Sequence, residues 1–372
     1  MKIVRKAALT AAVVGFAVSS FALSASAATE QDNNARIAAL QSEIAKLKQE
    51  NQALKASKGE VVKLQQENKN LRAKAADAFA AAPPSPVSGY IGIYAGGDWW
   101  NWGGDGNHYR GYNTSFGGNA RVNFWLSPRT SLQIDVDGEG TDSIAAWEND
   151  YNKANGRYNM DIAAHWAWWR DPTRGALAVF ANITKAGNIY YSSYNGDMVQ
   201  GLIGFEGQYY MNNWTWYGQL GYMARLNQNA SGGYGMSPRD TLFARGVARY
   251  FYTPNDRLQA EIGFARSGGQ CAYNDCGTYG TSHPTYVNWG AVYEHRFAGS
   301  MWSMYGEYAG FRVSGRNDSD GSFHATSNNL MGGIRLHFGQ PTLLAEDRNG
   351  ATFDSPGFLR ALDWTYLGGG FY

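Results

Sequence analysis

From Asn159 to Thr184 the chain alternates between apolar and polar residues with a period of two. Met160, Ile162, Ala164, Trp166 and Trp168 share one parity, and Asn159, Asp161 and His165 share the other. Beyond Asp171-Pro172 and Gly175, Leu177, Val179, Ala181 and Ile183 oppose Asn182 and Thr184. Successive side chains of a strand point to opposite faces, so each segment is a strand with one apolar and one polar face. Asp-Pro and Gly supply turn chemistry, which predicts a hairpin.

The same unit recurs as far as Phe338. Strands are expected near 90–97, 112–126, 130–139, 156–169, 176–185, 198–211, 214–227, 239–252, 257–266, 284–297, 301–313 and 326–338. Short connections at Ser127-Pro128, Asp171-Pro172, Asn212-Asn213, Thr253-Pro254 and Ala298-Gly299 alternate with longer Gly/Asn/Asp/Tyr-rich ones near 98–111, 140–155, 186–197, 228–238, 267–283 and 314–325. Five short and six long connections join twelve strands and leave both ends on the short-turn side. An even number of alternating strands with short turns on one side and long loops on the other predicts an all-β transmembrane protein, an antiparallel up-and-down barrel of about 12 strands spanning 89–338. Trp125, Trp168, Trp169, Tyr209, Tyr210, Trp214, Trp216, Tyr250, Phe251, Tyr252, Phe297 and Trp302 all flank short turns, the level at which an interfacial aromatic girdle forms.

The segment 28–79 has a different period. Ile37, Leu40, Ile44, Leu47, Asn51 and Leu54 step by three and four, and Val61, Leu64, Asn68, Leu71 and Ala75 repeat the pattern in a shifted phase. This is heptad spacing, with a stammer near 57–59 and Asn51 and Asn68 at core positions that fix register. It predicts an α-helical coiled coil, and hence a second helix from another copy or from a periplasmic partner. Residues 80–88, with Pro83, Pro84 and Pro86, read as a linker. Residues 1–27 read as a secretory signal: Lys2, Arg5 and Lys6, then an apolar stretch, then Ala25-Ser26-Ala27.

Composition narrows the choice further. The net charge of +1 gives no basis for a nucleic-acid partner. The mean hydropathy of −0.43, with no run after residue 27 able to form a spanning helix, leaves a soluble protein or a barrel whose lumen face stays polar; as a barrel with alternating short turns and long loops, its surroundings would be outer-membrane lipid.

Gly333-Ile334-Arg335-Leu336-His337-Phe338 resembles the closing-strand signal of Gram-negative outer-membrane barrels, with Gly333, Leu336 and the final Phe338 in place; Met331 stands where that signal usually has a polar residue. With the leader and the coiled coil, the chain resembles porin-like outer-membrane proteins of Gram-negative bacteria. The resemblance implies a location in the outer membrane with a periplasmic coiled coil. A competing closing strand, Asp363 to Tyr372, is interrupted by Gly368-Gly369-Gly370 and would make the strand count odd. Phe338 is therefore the expected end of the barrel, and 339–372 an apolar-rich periplasmic tail packed under the barrel mouth or on the coiled coil.

Candidate chemistry lies mainly in the lumen. Polar parities of the first six strands carry Asp135, Asp137, Glu139, Asp161 and Glu206 against Arg121 and Arg157. Those of the last six carry Arg225, Arg245, Arg249, Arg296 and Arg335 against Glu261, Glu294 and Glu307. General porins are similar in setting opposed charges at a constriction. Open, such a lumen would be a narrow passive channel for small hydrophilic solutes; ion-paired shut, it would be a structural anchor whose coiled coil binds a periplasmic partner or the cell wall. An outer-membrane hydrolase is a third reading, but G-x-S-x-G is missing and His165, His295 and His337 have no serine beside them in sequence, so no catalytic residue or cofactor is expected. Cys271 and Cys276, in one outer loop, predict a disulfide, with a metal pair including His283 as the lesser alternative. Trp99, Trp100, Trp102, His108 and Tyr109 could stack on a sugar or form an outer girdle. Asp318-Ser319-Asp320-Gly321 hints at calcium.

Overall fold

A computed structural model describes residues 30–81, 85–104, 107–144, 157–188, 198–226, 239–271, 281–317 and 321–356. The leader, Cys276, Asp318 to Asp320 and 357–372 lie outside the described residues, so the expected signal, disulfide and calcium loop are not addressed by it.

Residues Glu30–Ala81 form one continuous α-helix that runs through Gly59 without a break. It extends past the expected boundary at 79 and takes up the start of the expected linker, because its Ala-rich end contains no helix breaker before Pro83. Leu40, Leu47, Leu54 and Leu64 are each about half exposed, and Asn51 is exposed. In one chain the heptad seam faces solvent. Asn68 and Leu71 lie on the helix, with side chains outside the described residues.

The barrel consists of β1 (Val87–Gly104), β2 (Asn107–Ser127), β3 (Thr130–Ile144), β4 (Arg157–Asp171), β5 (Gly175–Asn188), β6 (Met198–Met211), β7 (Trp214–Arg225), β8 (Arg239–Thr253), β9 (Asp256–Cys271), the two-residue β10 (Thr281–Ser282), β11 (Thr285–Arg296), β12 (Trp302–Asn317) and β13 (Gly321–Phe338). Every long strand is antiparallel to both neighbours, and β10 only extends the β9 edge. Closure comes from β1 pairing with β13, where Gly89 meets Phe338, as well as with β2. Phe338 therefore ends the twelfth long strand, and β1 keeps no free edge for residues after it.

The alternation settles which face is which. Ile162, Ile183, Ile203, Phe205, Leu220, Leu242 and Ile262 point outward, while Asn123, Gln133, His165, Asn182 and Thr215 on the opposite parity are buried in the lumen. An apolar exterior around a largely polar interior, in a closed antiparallel sheet, is the architecture of a transmembrane β-barrel.

Two of the expected long loops are strand instead. β1 and β2 stay paired as far as Gly104 and Asn107, and β12 and β13 as far as Asn317 and Gly321. Gly and Asn there read as turn chemistry, yet the period of two continues. Trp99 points outward and stacks on Tyr308 with ring centroids 6.4 Å apart, which places it on the outer wall. The side chains of Trp102, His108 and Tyr109 lie outside the described residues.

The expected position of the tail also needs correction. Residues 340–356 do not stop under the mouth: they enter the lumen. Gly339 makes this possible with φ +83°, a left-handed conformation that turns the chain inward directly after the last strand. A Cβ there would lie 2.2 Å from the Val87 carbonyl oxygen. Thr342 then caps the seven-residue helix Leu343–Asn349, its Oγ1 accepting from Ala345 N at 3.1 Å. All seven residues are buried.

Candidate functional site

The lumen is a candidate site because both the barrel wall and the tail aim charged side chains into it. The inner-rim end of the tail is fixed first: Leu344 N donates to Pro254 O at 3.0 Å, and Arg348 Nη2 donates to the carbonyls of Trp214 (2.9 Å) and Asn212 (3.2 Å). Leu343 and Leu344 pack on Phe251. Trp125 Nε1 donates to Asn349 O at 2.6 Å, Tyr210 OH donates to Asp347 O, and Arg170 donates to Gly350 O. Three turn-side aromatics, Trp125, Tyr210 and Phe251, thus hold the tail rather than contributing to the lipid girdle, which keeps Trp168, Tyr209, Trp216, Phe297 and Trp302. All three continue the inward parity of their strands, Trp125 with Arg121 and Asn123, Tyr210 with Glu206 and Gln208, and Phe251 with Arg245 and Arg249.

Deeper in, Gln133 binds the tail like a strand edge. Its Nε2 donates to Phe353 O at 2.7 Å, and its Oε1 accepts from Phe353 N at 3.1 Å. The Phe353 ring is fully buried against Ala167, Ala176, Ala178, Tyr217 and Val247 and stacks on His165 at 5.7 Å. Asp354 follows as the centre of the polar network. It accepts from Arg121 Nη1 at 2.9 Å and from Arg249 Nη2 at 2.5 Å, and Arg245 Nη2 lies 3.7 Å away. Asp347 accepts from Arg249 Nη1 at 2.7 Å and from Thr215 Oγ1 at 2.5 Å. Burial by itself would raise both tail carboxyls. Arg249 and Arg121 outweigh it at Asp354 and hold that group well below the usual carboxylate range, and Arg249 with Arg348 lowers Asp347.

The sequence-derived lumen residues all face inward where their side chains are described. Arg121 pairs with Asp135 (3.0 Å) as well as with Asp354, and Arg245 pairs with Glu261. Glu206 accepts from Tyr217 OH (2.5 Å) and Gln219 Nε2 (3.0 Å) and meets His165 Nδ1 at 2.7 Å. Asp137, Glu139 and Asp161 line a cavity of about 240 Å³, with Asp354, Ser355 and Pro356 also on its wall. Arg225 is on β7, its side chain outside the described residues. Acidic and basic walls do not face each other across open water at the Arg121–Arg249 level, because Asp354 stands between them. Sequence reasoning missed Asp347 and Asp354, since nothing local marks a tail carboxylate as a lumen ligand, and it passed over Gln133, whose inward position the parity of Asp135 and Asp137 marks.

An apolar layer fills another part of the lumen. Phe180, Leu202, Met223, Phe243, Tyr286, Phe311 and Val313 form one buried cluster, and Phe180 lies 6.1 Å from Phe243.

The fold also brings together a serine, a histidine and an acid that are far apart in sequence. Ser303 Oγ lies 2.8 Å from His337 Nε2, and His337 Nδ1 lies 2.6 Å from Glu346 Oε2. The same serine is also tied to an acid of the barrel wall. Ser303 donates its proton to Glu294 (2.8 Å), a carboxylate also bound by Arg335 and Arg257. His337 thus bridges wall and tail, with Nε2 at Ser303 and Nδ1 at Glu346. These groups are buried and knit the tail to the closing strand.

No protein-family model matches the chain, and no curated protein matches it in sequence. Among solved structures the fold is similar to an outer-membrane channel from Pseudomonas putida F1, at 13% identity and a TM-score of 0.48, covering 68% of this chain and 96% of that one. It is also similar to the translocator domain of the autotransporter NalP from Neisseria meningitidis (11%, TM-score 0.39, covering 74% and 96%) and to the KdgM porin in complex with disordered oligogalacturonate (8%, TM-score 0.34, covering 66% and 99%). At such identities the likeness concerns barrel architecture alone.

Proposed function

We propose that the protein is an outer-membrane channel for small hydrophilic solutes that its own residues 340–356 hold shut at rest. The observation that carries this reading is the nature of the seal. The tail is held largely by exchangeable polar contacts, Asp354 and Asp347 to Arg121 and Arg249 above all, and it borders a charged, solvent-sized cavity. A permanent structural plug has no need of buried charges, which well-packed apolar side chains can replace at no loss of stability. The helix, with its leucine seam exposed, would recruit a second helix on the periplasmic side.

The test is conductance in a planar bilayer. Full-length protein should be closed for most of the recording, whereas a variant ending at Gly339 should conduct in discrete steps. Silence of the shortened barrel, with heat-modifiable mobility intact, would instead favour the closed anchor, a reading supported by the apolar layer around Phe180 and Phe243.

A further inference from the structure

We infer that the helix Glu30–Ala81 pairs with the same helix of a second copy of this chain, in parallel and in register, as a two-stranded coiled coil. This rests on the proposed recruitment of a second helix by the exposed leucine seam, and it names that helix, the number of strands and their direction.

Within one chain the seam has nothing to pack on. Every described side chain from 39 to 67 is exposed, including Ile44, Val61 and Leu64 at 52%, 52% and 57%. Most helical stability in proteins comes from packing an apolar face, so a seam of this kind is built for a partner. The steps of three and four place Ile37, Ile44 and Asn51 at the a positions of the heptads and Leu40, Leu47 and Leu54 at the d positions. After the stammer, Val61 and Asn68 take a, and Leu64 and Leu71 take d. β-Branched residues at a with leucine at d favour two strands over three or four.

The charges beside the seam are a separate observation, and they name the partner. In a parallel, in-register pair, each g residue of one helix faces the e residue five positions further along the other. Glu43 and Lys48 are so spaced, as are Glu50 and Lys55, and Glu67 and Arg72. Of the remaining positions, Glu60 would face Gln65 and Arg36 would face Gln41, so no like charges meet. This spacing serves no purpose within one helix, where five residues lie about 140° apart around the axis. An antiparallel pair would set g against g and e against e, Glu beside Glu and Lys beside Lys.

Asn51 fixes the register. Across a twofold axis it meets its own counterpart, the amide NH₂ of one copy donating to the carbonyl of the other. A slip of one heptad would set it against Ile44 and leave the amide unpaired. A foreign helix would have to reproduce all these matches, whereas a second copy supplies them by symmetry.

The test uses full-length protein in mild detergent. Light scattering, corrected for detergent, should give the mass of two chains. Leu40→Cys should oxidise to a covalent dimer that the wild type, with Cys271 and Cys276 alone, does not form. Position 40 lies well away from the helix midpoint, so a parallel, in-register pair brings its two copies together and an antiparallel one separates them. E43K/E50K and K48E/K55E each place like charges at the facing g and e positions, and each should raise the dissociation constant at least about tenfold with heat-modifiable mobility unchanged. Mixed together, the two variants should recover the dimer as a mixed pair, which excludes misfolding as the cause of their dissociation. A mass of one chain or of three, absence of the L40C dimer, or charge variants that keep wild-type association would overturn the pairing. If the mass is that of three chains and L47D/L64D lowers it, the seam still recruits helices and only the two-stranded pairing falls; if L47D/L64D leaves an oligomer's mass unchanged, the recruitment itself falls.

Discussion

Asp354→Asn is the sharpest test of the proposal that the tail shuts the barrel. The substitution keeps the side chain's size and removes only its charge, so what it probes is the attraction of Arg121, Arg245 and Arg249 for one carboxylate. Removing one partner of a buried ion pair costs about 3–5 kcal/mol when the other is left uncompensated. Here each arginine keeps a second acid: Asp135 for Arg121, Glu261 for Arg245 and Asp347 for Arg249. The loss should therefore fall to about 2 kcal/mol, charged to the docked tail alone, because the barrel wall does not depend on Asp354. About 2 kcal/mol shifts the ratio of undocked to docked tail about thirtyfold. Single-channel recording would read this as a rise of the same order in open probability, provided the wild type is mostly closed, and limited trypsin digestion would read it as faster cleavage after Arg348. Combining D354N with R249Q should add much less than the sum of the two, since both break the same contact. If D354N stays as silent and as protease-resistant as the wild type while its barrel remains heat-modifiable, the Asp354 cluster is not the latch.

Three further outcomes are expected. Because Asp354 and Asp347 have lowered pKa values in the folded state, their contribution to docking is fully present above the unfolded value of about 3.9 and is lost only as pH falls through the folded values; open probability should stay flat from neutral pH down to about pH 5 and rise only below about pH 4. Gly339→Ala places a Cβ against the Val87 carbonyl in a left-handed conformation, so it should loosen the tail's entry and raise open probability, while the closed β1–β13 seam preserves heat-modifiable mobility; unchanged currents and proteolysis would refute that role for the turn. Leu47→Asp with Leu64→Asp puts charge into the exposed leucine seam and should lower the oligomer mass measured by light scattering in mild detergent without altering the barrel; an unchanged mass would show that the helix does not hold copies together.

The barrel was legible in the sequence because its cause is local and repeated. A period of two over each strand states which side chains face lipid, and the short turn at Asp171-Pro172 states where a strand must reverse. Strand β6 matches its expected span, and closure at Phe338 agrees with the alternation up to that residue. The inward orientation of Asp135, Asp161, Arg245 and Arg249 follows from the same parity. Pattern alone failed where strand and loop chemistry coincide, as in the Gly- and Asn-rich ends of β1 and β13, whose ladder is kept by a neighbouring strand rather than by composition. What only the tertiary structure decided is the fate of the tail. Residues 340–356 have no period that declares a destination; their place depends on Gly339 turning inward and on side chains from several strands converging on Phe353 and Asp354. Contacts between residues more than a hundred positions apart, such as Arg121 with Asp354, arise from closing the sheet into a cylinder. Local sequence carries the faces of a barrel, while the contents of its lumen depend on which distant side chains that closure brings within reach.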